Sequence, residues 1–132
     1  MDVNGLTALV VDDIRMMREL LGRMLRSIGF ADVAGAGSAA EALVALQQRT
    51  FHLVLVDWNL GDANGGDLVQ KIRTGTPEGA RLPILMVSGQ TEQATIMAAR
   101  RSGIDGYLLK PVSKADLMAR IKFVLSKRSS AA

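Results

Sequence analysis

Three charged signals in this sequence each follow directly on a short apolar run. LTALVV is followed by Asp12 and Asp13, FHLVLV by Asp57, and GYLL by Lys110. A short apolar run closed by a charge is typical of a buried strand that has reached the surface. Parallel strands of an open α/β sheet end on one edge, so we expect these side chains to converge there. Three carboxylates and one ammonium could together hold a hard cation and a phosphoryl group.

Clustered carboxylates need compensation, because two unit charges 4 Å apart repel by about 4 kcal/mol at an effective dielectric constant of 20. A raised carboxyl pKa, the nearby ammonium or a divalent cation could supply it. Mg²⁺ suits the group, since it takes oxygen ligands, keeps several waters and accepts phosphate oxygens. Zinc is a poor candidate, because the chain has no cysteine and its single histidine, His52, lies in a predicted strand. We interpret His52 as structural.

Apolar runs alternate with helical patterns along the whole chain, which predicts five strands and five helices. The strands are predicted at 7–11, 31–36, 52–56, 83–87 and 106–109. Helices are predicted from Ile14 to a stop at Gly29, from Ser38, over 67–73, from Thr91 to a stop at Gly103, and from Ser113 to about Lys127. Residues 61–66 and the segment holding Gly75, Pro77 and Gly79 are predicted loops, and 129–132 a frayed tail.

Strands separated by helices of this length favour parallel pairing, right-handed crossovers and a sheet covered on both faces. The fold class is therefore α/β, with a doubly wound parallel sheet. The 132 residues suit a single domain, with a core from about residue 6 to 127. With 48% hydrophobic and only 4% aromatic residues, that core must be mainly aliphatic.

Composition also limits the function classes. The absence of cysteine excludes disulfides, thiolate metal sites and a cysteine nucleophile, and it fits a reducing compartment such as the cytoplasm. No apolar run approaches the ~18 residues that a membrane span needs, and the N-terminal segment does not resemble a signal peptide. The net charge of +3 is spread over several predicted helices, so we expect solvated faces rather than nucleic-acid binding.

The segments VVDD, VDWN, MVSG and GYLLKP resemble the receiver domains of two-component response regulators. The resemblance covers nearly the whole chain and is strongest to the single-domain chemotaxis type (CheY-like). It implies a flavodoxin-like (βα)5 fold with strand order 2-1-3-4-5, an order that the spacing alone does not give. It also implies a Mg²⁺ cofactor and a cis peptide bond between Lys110 and Pro111.

The same resemblance assigns roles to the residues at the sheet edge. Asp57 is similar to the phosphoacceptor of that family. Asp13 is similar to a direct Mg²⁺ ligand assisted by Asp12, and Asn59 would offer its backbone carbonyl to the same ion. A carboxylate can act as a nucleophile toward phosphorus, which agrees with the acceptor role.

The remaining implied roles concern the phosphoryl group and the response to it. Ser88 would hydrogen-bond the phosphoryl group, Lys110 would pair with it, and Tyr107 would be the aromatic switch that turns inward when Ser88 moves. Phosphoryl transfer asks a protein mainly for positioning and charge neutralisation, which Lys110 and Mg²⁺ could supply. The family's loops often have proline at Gly61 and aspartate at Asn64, so this chain departs from the pattern there.

We therefore expect a phosphorylation-activated switch rather than a turnover enzyme. A histidine kinase or histidine phosphotransfer protein would phosphorylate Asp57. A partner would then read the surface formed by residues 91–102, 106–109 and the helix from Ser113; chemotaxis is the pathway that the similarity suggests. A phosphate sink or shuttle without output and a degenerate receiver used as a binding module are the alternatives. A hydrolase with an aspartate nucleophile is a further one, although it would need an acid where Asn59 stands.

Overall fold

The computed structural model describes residues 2–61 and 63–131. Asp62 of the predicted loop and Ala132 of the predicted tail lie outside the described residues. All five strands pair in parallel, in the order β2-β1-β3-β4-β5, which confirms the expected sheet. The strands are β1 (Thr7–Val11), β2 (Asp32–Ala36), β3 (Leu53–Val56), β4 (Ile84–Ser88) and β5 (Gly106–Leu109). The helices are α1 (Arg15–Ile28), α2 (Ala39–Gln48), α3 (Gly65–Gly75), α4 (Pro77–Arg81), α5 (Gln93–Ser102) and α6 (Lys114–Ala131).

Local capping signals set most helix ends where the sequence predicts them. The Ser38 hydroxyl accepts a hydrogen bond from the Glu41 amide at 3.1 Å, and Ser113 caps α6 in the same way. Gly29 and Gly103 end α1 and α5 with φ values of 130° and 110°. Residues that have a side chain rarely adopt such φ values, which explains why glycine occupies both helix ends.

Three predicted segments were wrong. The loop predicted at 61–66 is shorter, because α3 begins at Gly65 rather than at residue 67. The segment with Gly75, Pro77 and Gly79 was predicted as a loop but contains the short helix α4. Pro77 suits the first position of a helix, and the Thr76 hydroxyl caps this helix by accepting a hydrogen bond from the Gly79 amide at 2.9 Å. The helix α6 also continues past residue 127 to Ala131, since neither glycine nor proline follows Lys127 to end it.

Apolar side chains cover both faces of the sheet, so its central strands are buried on both sides. One face packs α1 and α6 against strand residues such as Val10, Leu55 and Leu85. The other face packs α2, α3 and α5 against Leu9, Val54 and other buried residues. Every residue of β3 and β4 is buried, as expected for strands with helices on both sides.

A largely buried arginine ties the helices together on the side away from the charged strand ends. The Arg73 guanidinium donates to the carbonyls of Gly79, Leu82 and Gly103. It also forms an ion pair with Asp105 at 3.0 Å, and the Asp105 carboxylate accepts a hydrogen bond from the Ile84 amide at 2.8 Å. Arg73 thereby joins α3, α4, the end of α5 and the start of β4.

His52 lies just before β3, where its Nδ1 atom accepts a hydrogen bond from the Thr7 amide at 3.0 Å. This contact agrees with the structural interpretation of the histidine. Within the described part of the chain, no helix has both the length and the apolar character required to cross a membrane.

Candidate functional site

The carboxyl ends of β1 and β3 bring the predicted acidic residues together. The two strands are neighbours with Val11 opposite Val56, and the Asp57 amide donates to the Val11 carbonyl at 3.0 Å. Carboxylate oxygens of Asp12, Asp13 and Asp57 all lie within 4.8 Å of one another. Asp12 and Asp57 are buried, whereas Asp13 is exposed and leaves the group open to solvent. We call these three residues the acidic cluster.

The Lys110 ammonium lies between two members of the acidic cluster. Its Nζ atom donates to Asp12 Oδ2 at 2.9 Å and to Asp57 Oδ2 at 2.8 Å. The Lys110 backbone is held beside β4, because its amide donates to the Ser88 carbonyl at 2.8 Å. The Lys110–Pro111 peptide bond is cis, as expected. The side chain is 17% exposed, so the two ion pairs are partly shielded from water.

The electrostatics of this arrangement are asymmetric. Burial raises the pKa of Asp12 above its ordinary value, although the hydrogen bond from Lys110 opposes the shift. Burial alone would lower the pKa of Lys110, but its hydrogen bonds to Asp57 and Asp12 together raise it. Both pKa values are therefore raised, but with opposite effects on charge: the shift favours the neutral form of Asp12 and the charged form of Lys110, because the ammonium faces two anions whereas Asp12 shares one cation and also faces Asp57. Lys110 therefore stays protonated at neutral pH.

Ser88 and Tyr107 are both hydrogen-bonded to the backbone of Gln90. The buried Ser88 hydroxyl accepts a hydrogen bond from the Gln90 amide at 3.1 Å, and the Tyr107 hydroxyl donates one to the Gln90 carbonyl at 2.8 Å. Ser88 and Tyr107, predicted to act together, are thus joined through the backbone of one residue, Gln90. An added Cβ at the neighbouring Gly89 would meet nothing within 4 Å, so Gly89 borders open space.

The loop after β3 holds Asn59 next to Asp57. The Asn59 amide lies 3.4 Å from Asp57 Oδ1, and Asn59 forms an antiparallel bridge with Asn64. Gly65 closes the loop by donating its amide to the Trp58 carbonyl at 2.7 Å. A Cβ on Gly65 would lie only 2.2 Å from the Asp57 carbonyl oxygen, so only glycine fits there.

The structure therefore places the predicted site residues at one edge of the sheet, where the Tyr107 side chain is hydrogen-bonded to the Gln90 carbonyl rather than to another predicted site residue in the described part of the chain. It adds one contact that sequence reasoning missed. The Arg18 guanidinium, on α1, donates to the Asp12 carbonyl at 2.7 Å. The only available signal was the pair Gly35 and Gly37 at the end of β2, which lie beside this side chain.

Comparison with known proteins points to one family. The family model described as "Response regulator receiver domain" matches residues 8–122. The chain is 32% identical to the chemotaxis protein CheY-3 of Vibrio cholerae over 90% of its own length and 91% of that protein. It is 31% identical to the chemotaxis protein CheY of Pseudomonas aeruginosa, over 90% of this chain and 95% of that one.

A solved structure agrees with this assignment. The receiver domain protein (CheY-like) of Methanospirillum hungatei superposes with a TM-score of 0.87 and 27% identity, covering 98% of this chain and all of that one. The superposition covers nearly all of this chain, and the sheet order β2-β1-β3-β4-β5 matches the CheY-like fold. This chain therefore belongs to the response regulator receiver domain family and is a CheY-like receiver domain.

Proposed function

We propose that this receiver domain is a phosphorylation-activated switch in which Asp57 accepts a phosphoryl group in a Mg²⁺-dependent reaction. The donor would be a histidine kinase or a histidine phosphotransfer protein in the cytoplasm. The observation that carries the proposal is the grouping of Asp57 with two further carboxylates and the Lys110 ammonium in one partly open site. Its similarity to two chemotaxis proteins makes chemotaxis the first pathway to test.

The acidic cluster fits a magnesium ion by the chemistry of its donors. Three carboxylates within 4.8 Å of one another outnumber the single ammonium beside them, so the group retains negative charge for a cation. Hard oxygen donors and access to water through exposed Asp13 are what Mg²⁺ prefers. Asp12, Asp13 and Asp57 would hold the ion with the Asn59 carbonyl, and the bound ion would neutralise charge on the phosphoryl oxygens.

The chain's own groups can carry the transfer. An Asp57 carboxylate oxygen attacks the phosphorus of a phosphohistidine, a new P–O bond forms, and the electron pair of the breaking P–N bond returns to the imidazole. Lys110, already 2.8 Å from Asp57, pairs with the phosphoryl oxygens. Ser88 accepts a hydrogen bond from Gln90 and so keeps its own proton, which it can donate to the phosphoryl group.

The connection through Gln90 offers a route from the phosphoryl group to the surface. A Ser88 that turns toward the phosphoryl group weakens its bond to the Gln90 amide, and the Gln90 carbonyl is the acceptor for Tyr107. Tyr107 lies in β5, beside α5 and α6, where Met97, Leu109 and Phe123 are exposed. The partner would read this surface, and phosphorylation would shift a two-state equilibrium rather than drive turnover of a substrate.

A stable mimic of the phosphoryl group tests the switch. Beryllofluoride with Mg²⁺ should bind at Asp57 and change both the fluorescence of Trp58 and the amide NMR signals of Ser88, Gln90 and Tyr107. The Asp57→Asn variant is the control and should show neither change. Unchanged signals at Gln90 and Tyr107 in a protein that clearly binds beryllofluoride would contradict the proposed connection.

A further inference from the structure

Arg18 holds the peptide unit that joins two members of the acidic cluster. Its Nη1 atom donates to the Asp12 carbonyl at 2.7 Å. That oxygen belongs to the Asp12–Asp13 peptide group, which is planar. Fixing the oxygen therefore also orients the nitrogen and the Cα atom of Asp13.

The two aspartates differ in how they are otherwise held. The Asp12 amide donates to the Ala36 carbonyl at 3.1 Å, and its carboxylate accepts hydrogen bonds from Ile14 and Lys110. The Asp13 side chain is exposed and makes no hydrogen bond to any residue that the structure describes. Its position consequently depends on the backbone on either side, and Arg18 anchors the peptide that precedes it.

Two glycines leave room for this arginine. A Cβ on Gly37 would lie 3.2 Å from Arg18 Nη1, and a Cβ on Gly35 would lie 3.5 Å from Arg18 Cδ. Neither glycine has a positive φ, so the backbone does not require glycine at either position. The space that they leave is therefore used by the Arg18 side chain as it crosses from α1 over the end of β2.

We infer that Arg18 is a positioning residue for the metal site, acting through the Asp12–Asp13 peptide to place the Asp13 carboxylate. The inference rests on the proposed Mg²⁺ binding. Positioning and charge make opposite predictions, which makes the role testable. Removing a positive charge near the acidic cluster should tighten cation binding, whereas releasing the peptide should weaken it.

Arg26 provides a matched control on the same helix. Its Nη2 atom donates to the Val33 carbonyl at 3.1 Å, so it too bridges α1 and β2, but it contacts no member of the acidic cluster. The variants Arg18→Met and Arg26→Met each remove one charge and one bond to a backbone carbonyl, and both keep an unbranched apolar stem in the groove between α1 and β2.

Titration of each folded variant with MgCl₂, followed by calorimetry and by the fluorescence of Trp58, gives the dissociation constant directly. We expect Arg18→Met to weaken Mg²⁺ binding about tenfold, as is typical for partners that orient metal ligands, and Arg26→Met to leave it nearly unchanged. Thermal unfolding in EDTA checks that both variants are folded, and a loss of stability alone does not alter the affinity of the folded state.

Equal or tighter Mg²⁺ binding by Arg18→Met would overturn the positioning role. Equal weakening in both variants would also overturn it, because the effect would then come from the junction of α1 and β2 in general. Absence of Mg²⁺ binding in the unmodified protein would instead contradict the proposed function, so the two failures are distinguishable.

Discussion

Replacing Asp13 by asparagine should stabilise the metal-free protein while removing its response to magnesium. Asp13 is the exposed member of the acidic cluster and makes no side-chain hydrogen bond within the described residues, so the exchange breaks no such contact. Asparagine has nearly the same shape, and only the charge is lost. The acidic cluster would then provide the cation site while it lowers the stability of the metal-free protein.

The expected gain follows from the distances. Carboxylate oxygens within 4.8 Å of one another repel by about 0.9 kcal/mol per pair in a water-like dielectric and by about 3.5 kcal/mol at a dielectric constant of 20. Because Asp13 is exposed, the water-like value applies, and the Lys110 ammonium offsets roughly one of its two repulsions. We therefore expect Asp13→Asn to raise the free energy of unfolding by about 1 kcal/mol.

Urea unfolding followed by the fluorescence of Trp58, with EDTA or with Mg²⁺, measures both effects. Mg²⁺ at about 100 times its dissociation constant should stabilise the unmodified protein by about 2.7 kcal/mol and the variant by much less. The control Glu92→Gln changes an exposed carboxylate that makes no capping hydrogen bond, and it should alter stability by less than about 0.5 kcal/mol. A variant that is less stable in EDTA, or that keeps the full Mg²⁺ effect, would refute this reasoning.

Three further changes test other parts of the fold. Gly65→Ala should destabilise the protein by about 2 kcal/mol or more, because the added Cβ would collide with the Asp57 carbonyl. The control is Gly75→Ala in the same helix, where the added Cβ meets nothing within 4 Å. Equal free energies of unfolding for the two variants in urea would contradict this prediction. Arg73→Met should lower the free energy of unfolding by about 3–5 kcal/mol, because the Asp105 carboxylate, only 17% exposed, and several carbonyls lose this donor. A decrease of less than about 1 kcal/mol in the same assay would contradict this prediction. The raised pKa of Asp12 means that the folded state binds more protons than the unfolded state, so this group's contribution to stability falls as pH rises from 3.8 to its folded pKa. The stability gained through Asp12→Asn in EDTA should therefore increase with pH over that interval. A gain that decreases with pH would contradict the conclusion that burial raises the pKa of Asp12.

The strand ends could be predicted because each combines two independent signals. The bounds of β1 and β5 agree with the sequence prediction at both ends, since an apolar run begins each strand and a charge follows it. Asp12, Asp57 and Lys110 follow their strands, so the parallel sheet alone brings them to one edge. The strand order depended on the family resemblance, because spacing does not state which strands are neighbours.

Other features depend on contacts that spacing does not reveal. Gly75, Pro77 and Gly79 resemble loop residues, yet Thr76 caps a helical turn there and Pro77 occupies its first position. The contact between Arg18 and Asp12 requires α1 to cross the end of β2 at one particular place. Arg73 reads as a solvated helix residue until α3, α4 and α5 are packed around it.

The most direct measurement is the intact mass of the protein after incubation with acetyl phosphate and an acid quench. It should be made with and without Mg²⁺, on the unmodified protein and on Asp57→Asn. We expect one added phosphoryl group that requires both Mg²⁺ and Asp57. An adduct that persists in Asp57→Asn, or that forms equally well in EDTA, would contradict the assignment of Asp57 as the phosphoacceptor of this acidic cluster.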